Sequence, residues 1–191
     1  MPLETASFIG IDYGAKLAGT TVICFAKDDQ LHFLQSEKKK DADAFLIKNI
    51  HELNPEKIFI DAPLSLPGVY SNNGDDFFYR QCDREVNAMS PMFLGGLTAR
   101  AMKLRAGFSH LHFYEIYPAH LVRVLFLENK FYKKDLAAFS ELLKNELPIN
   151  FALFPTNWHQ VDAALAWLSG WRFEKQKAII FGDKKEGFIF V

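Results

Sequence analysis

Residues 7–12, SFIGID, and residues 57–61, KIFID, share one pattern: a nearly unbroken apolar run that ends in an aspartate. Continuous apolar runs of this length suit strands buried on both faces, as in the middle of a parallel sheet. Between them, residues 19–27, GTTVICFAK, are β-branched and aromatic, DDQ makes a turn, and LHFLQSE continues as a second hairpin strand. The chain therefore opens as a three-strand meander. A helix over 41–54 follows, with Asp41 or Asp43 as N-cap, Leu46, Ile47, Ile50 and Leu53 at helical spacing, and Pro55 as the stop. A right-handed crossover through that helix lays KIFID parallel to SFIGID and beside it.

Further along, Pro63 and Pro67 end the second central strand. Residues 65–91 are the least regular stretch, with a strong turn signal in SNNGDD. Helices are expected at about 92–106, 119–128 and 135–146, the last two joined by the basic turn FYKK, and HFYEIYP at 112–118 reads as a strand. The clearest helix runs from Asn157 to about Glu174, with Trp158, Val161, Leu165 and Leu168 as its apolar stripe. AIIF-GDKKEG-FIFV closes the sequence as a hairpin. No repeat, low-complexity tract or linker interrupts it, so one domain over 1–191 with an irregular insertion at about 65–91 is expected.

The composition is that of an ordinary globular α/β protein, 49% hydrophobic and 24% charged over 191 residues, with an aromatic core implied by 19 Phe. Cys24 and Cys82 form no CxxC pair, which argues against a thiolate metal site and for a reducing, cytoplasmic setting. MPLETASFIG has neither the basic nor the apolar region of a secretory leader, and no run approaches the roughly 20 residues that span a bilayer. A net charge of −1 speaks against binding nucleic acid through phosphates alone. Residues 80–105 carry a local surplus, five basic side chains against two acidic ones, which reads equally as a solvated helix face.

Asp12 and Asp61 each close an apolar strand. On adjacent parallel strands, about 4.8 Å apart, both carboxylates face the crevice at the carboxyl ends, where open α/β sheets bind ligands. So close a pair takes up a proton or a cation, and hard divalent ions prefer such ligands. Asp162 falls within the apolar stripe of the last helix, where an acid is costly unless paired or bound to metal. Each acid also has a plainer reading: an Asx-turn before Gly14 for Asp12, turn initiation before Pro63 for Asp61, and a hydrogen bond to a buried N–H or an Arg for Asp162. Glu115 is a further ligand candidate whose plainer reading is a solvated strand residue. His159, one turn before Asp162, reads as a supporting residue or as ordinary surface.

IGIDYG, IDAPLSLP, RQCDRE, EIYPAH and HQVDAALAW, in this order, resemble the predicted RNase H-like nuclease family known as domain of unknown function 429, over about residues 7–187. The resemblance implies a mixed five-stranded RNase H-like sheet flanked by helices, with an acidic centre at Asp12, Asp61 and Asp162. Asp83, Arg84 and Glu115 match further family positions. The first strand with Gly14, Lys16 and Gly19 is also similar to Holliday-junction-resolvase-like nucleases.

The expected chemistry is phosphodiester hydrolysis in DNA or RNA with Mg²⁺ or Mn²⁺. Asp12 bridges two ions, Asp61 and Asp162 complete their shells, and Lys16 or Arg84 clamps the phosphate. One rival is a relative of the actin-like ATPases, although the chain has no second D-x-G motif. The other is a non-catalytic RNase H-like module that binds nucleic acid or protein.

Overall fold

The computed structural model describes residues 7–126 and 130–191. The first six residues and the end of the helix expected at 119–128 lie outside these residues. Strands β1 (Phe8–Asp12), β2 (Val22–Lys27) and β3 (Gln30–Gln35) form the meander, α1 (Ala42–Leu53) is the crossover, and β4 (Lys57–Asp61) returns beside β1. Asp41 caps α1 by accepting from the Asp43 and Ala44 amides, and Asn54, in the left-handed region, ends it before Pro55.

The 65–91 stretch holds a helical segment of its own, α2 (Gln81–Val86). The single helix expected at 92–106 is two, α3 (Pro91–Leu94) and α4 (Gly96–Gly107). Gly95, at φ 44°, breaks the run between them. Then come β5 (His112–Ile116), α5 (Pro118–Leu125), α6 (Leu136–Glu146), β6 (Asn150–Phe151), α7 (Trp158–Glu174), β7 (Ile180–Asp183) and β8 (Gly187–Phe190).

The sheet order is β6-β3-β2-β1-β4-β5-β8-β7, eight strands where five and a separate hairpin were expected. The hairpin is part of the sheet, because β8 pairs parallel with β5 through Glu115–Ile189 and Ile116–Phe190. The two-residue β6 adds to the far edge beside β3. β1 and β4 are parallel, as their sequences indicate, and are buried nearly throughout.

Helix α7 lies across β1. It does so because Gly10 has no side chain: a Cβ there would meet the Trp167 amide nitrogen at 2.2 Å and the Ala163 carbonyl oxygen at 2.6 Å. Backbone therefore rests on backbone, and α7 is buried on every side from Val161 to Gly170 instead of presenting one stripe. Phe8 stacks on Trp167 at 5.2 Å, and Phe59 packs between Tyr114 and Phe173. The other face of the sheet is covered by α1 and α4, where Ile9, Ile11, Ile58 and Ile60 meet Leu46, Ile50 and Leu104. Each such aliphatic side chain contributes about 1.5–3 kcal/mol when fully buried.

The insertion is anchored at two points. The Glu186 side chain, in the β7–β8 turn, accepts from the Gly68 amide at 2.7 Å and the Gln81 amide at 2.7 Å. Arg80, fully buried, is the second anchor.

Candidate acidic centre

The register of the two central strands sets Asp12 directly opposite Asp61. Asp12 is 8% exposed and Asp61 half-buried, and both border a cavity of about 310 Å³ whose opposite wall is apolar, formed by Met89, Leu94 and Leu97. Helix α7 brings the third acid. Asn157 caps it through the His159 and Gln160 amides, which starts the helix so that His159 and Asp162, one turn apart, point the same way. His159 Nδ1 lies 2.8 Å from Asp12 Oδ2. Asp162 is 6% exposed. It accepts from the Tyr132 hydroxyl at 2.7 Å and the Lys133 ammonium at 2.5 Å, one on each oxygen.

The three carboxylates feel one another. Burial raises the Asp61 pKa well above its ordinary value, and the charges of Asp12, Asp162 and Glu115 push it further. Burial also raises Asp12 and Asp162, with His159 opposing the rise at Asp12 and Lys133 opposing it at Asp162. The hydrogen bond to Asp12 raises His159 in turn. Desolvated acids crowded in this way are eased by a cation or a shared proton.

The plainer readings fare differently. The Gly14 amide, which an Asx-turn would direct to Asp12, donates to Thr21 Oγ1 at 3.0 Å instead. Asp61 receives no hydrogen bond from the described residues. Asp162 is paired within the protein, as its plainer reading has it, but by a tyrosine and a lysine in place of an arginine or a backbone amide.

Glu115 stands beside the trio but is engaged elsewhere. At 5% exposed it is not a solvated strand residue. The Arg80 guanidinium bonds both its oxygens, at 2.7 and 2.6 Å, and the Leu64 amide adds a bond at 2.9 Å. The other edge of Arg80 grips Asp83 at 3.0 and 2.6 Å, and Ser65 completes the network. Glu115 and Asp83 are thus the two counter-charges of one buried arginine.

Lys16 and Arg84, the expected phosphate clamps, do not border the cavity. Lys16 pairs with Asp41 at 3.1 Å on the surface, and Arg84 pairs with Asp76. Arg100 forks onto Asp43, bonds the Gly14 carbonyl at 3.1 Å and lies 4.7 Å over the Tyr13 ring, which fixes the turn after Asp12. Much of the basic surplus at 80–105 is therefore spent inside the protein. The basic groups that touch the acids are His159, at Asp12, and Lys133, at Asp162.

The donor chemistry suits a hard divalent ion: three carboxylates, one of them unpaired, and an imidazole. As the side chains stand, no three carboxylate, imidazole or thiolate groups among the described residues form a ready chelate. Lys133 and His159 occupy oxygens that an ion would need.

No protein-family model matches the chain, and no curated protein does. Among solved structures it is similar to T. thermophilus RuvC in complex with Holliday junction substrate. That likeness has 15% identity and a TM-score of 0.50, and covers 89% of this chain and 96% of the other. A second Thermus thermophilus RuvC structure aligns at 17% identity over the same shares, with a TM-score of 0.49. The order of strands, the acid-bearing sheet edge and the first of these likenesses together give the fold: it is RNase H-like.

Proposed function

We propose that the protein is a metal-dependent nuclease whose centre is Asp12, Asp61 and Asp162, with His159 beside them. The observation that carries this reading is the in-register pairing of Asp12 with Asp61 under a helix that delivers Asp162. A Mg²⁺ or Mn²⁺ ion bound there supplies neutralising charge and Lewis acidity at a phosphodiester. The strand pairing fixes the backbone of Asp12 and Asp61 side by side, so their carboxylates start close together. His159, hydrogen-bonded to Asp12, orients that carboxylate and can carry a proton at Nδ1. The cavity beside the acids admits a nucleotide-sized group against Met89, Leu94 and Leu97.

The substrate proposed is DNA or RNA. The likeness to a junction-bound RuvC favours branched DNA among the candidates, and the resemblance to predicted nucleases of domain of unknown function 429 agrees with the chemistry. The two cysteines are free and buried, which fits a reducing, cytoplasmic setting. Among the described residues no helix is long and apolar enough to cross a membrane.

The test is cleavage of single-stranded, duplex and four-way-junction substrates with Mn²⁺, comparing the wild type with Asp12→Asn. Cleavage that survives this change refutes the assignment. A second reading, a binding module without catalysis, is favoured by His159 and Lys133 occupying oxygens of Asp12 and Asp162. It predicts junction binding that is the same in Asp12→Asn and in wild type, with no turnover in either.

A further inference from the structure

Asp162 has both oxygens filled by two consecutive residues of one turn, Tyr132 on Oδ1 and Lys133 on Oδ2. Tyr132 is wedged against Phe139 and Trp158, at ring distances of 5.2 and 5.7 Å. The Lys133 ammonium lies 5.2 Å over the Tyr132 ring and 5.6 Å over the Trp158 ring, a seat for a cation. Lys133 adopts φ 61°, a left-handed conformation that a lysine keeps only where its surroundings hold it. Yet its side chain is 46% exposed, so the ammonium can leave Asp162 for solvent without disturbing the core.

We propose that Lys133 is a resident counter-cation of the acidic centre: it steadies Asp162 without metal and is exchanged for the divalent ion when one binds. This rests on the reading of the acids as metal ligands. A protonated amine has no lone pair to offer an ion, and its charge repels one. It also occupies the oxygen an ion would take, so the two cations compete for Oδ2. Tyr132, neutral and bonded to Oδ1, can remain in place throughout. The exchange keeps three desolvated carboxylates assembled in the absence of metal, and it lowers the affinity for the ion.

The experiment is calorimetric titration of MnCl₂ into the wild type and Lys133→Met. The variant is expected to bind about tenfold more tightly, the scale of one lost charge-assisted competitor. Equal or weaker binding by the folded variant overturns the exchange and leaves the metal site standing. No Mn²⁺ binding by either protein removes the metal reading, and the exchange with it. A second measurement uses the wild type alone: acylation of Lys133 by an N-hydroxysuccinimide ester, followed by mass spectrometry. The rate is expected to rise severalfold on adding Mn²⁺, and an unchanged rate overturns the proposal even where Lys133→Met does not fold.

Discussion

Replacing Gly10 by alanine perturbs the contact on which the acidic centre depends. The new Cβ would lie 2.2 Å from the Trp167 nitrogen, 2.6 Å from the Ala163 oxygen and 2.7 Å from the Trp167 Cα. All three are backbone atoms, so no side chain can rotate away to make room. Ordinary contact begins near 3.4 Å, and α7 must therefore retreat by about 1.2 Å. That movement stretches the 2.8 Å bond from His159 to Asp12, to about 4 Å where it runs along the bond, and carries Asp162 along. Overpacking costs about 1–3 kcal/mol and the lost bond about 1 kcal/mol more. A total of about 3 kcal/mol lowers the melting temperature by roughly 6–12 °C in a chain of this size. The assay is thermal unfolding followed by circular dichroism, with Mn²⁺ titration of the folded protein below the transition. Gly107→Ala is the control, since a Cβ there meets nothing within 4 Å. Should Gly10→Ala melt within about 2 °C of the wild type and bind Mn²⁺ equally well, α7 is not seated by this glycine.

Removing Arg80 as Arg80→Met strands Asp83 and Glu115 as unpaired buried charges, and urea unfolding is expected to show a loss of about 3–5 kcal/mol. Asp61 has its pKa raised in the folded protein, so the native state binds more protons than the unfolded one between the ordinary carboxylate pKa and the raised value. Stability without metal therefore falls as pH rises through that window. Asp61→Asn in EDTA is expected to be more stable than the wild type at pH 8 and to flatten this decline, both read by urea unfolding at a series of pH values. Lys16→Ala breaks only a surface pair and is expected to change stability by about 0–1 kcal/mol, with Mn²⁺ binding by calorimetry unchanged.

The central strands were legible because a strand buried on both faces has no choice but to be apolar throughout, and SFIGID and KIFID are. Handedness of the crossover then returns KIFID parallel to SFIGID, and the structure supplies the register that sets Asp12 against Asp61. Asp162 announced itself by facing inward. Other parts left no such trace. Arg80 and Glu115 are 35 residues apart, and the first of the two arginines in FFYRQCDRE looks like any surface cation until the fold closes over it. Lys133 sits in a basic turn that reads as solvated, and only the packing of Tyr132 against Trp158 turns it toward Asp162. His159 did carry a signal, its i, i+3 spacing from Asp162, which places both on one face. The strand count was out of reach because β6 is two residues long and β8 finds its partner through space, not through a neighbouring turn.

The clasp between Glu186 and the segment around Gly68 and Gln81 bears on the order in which this chain matures on the ribosome. Residues near position 70 emerge long before their fastener is made, and α7, which completes the acid trio, is also late. A nascent chain stalled before residue 158 carries Asp12 and Asp61 without Asp162, and its insertion is held through Arg80 and Glu115 alone. Assembly of the acid trio is therefore tied to translation of α7.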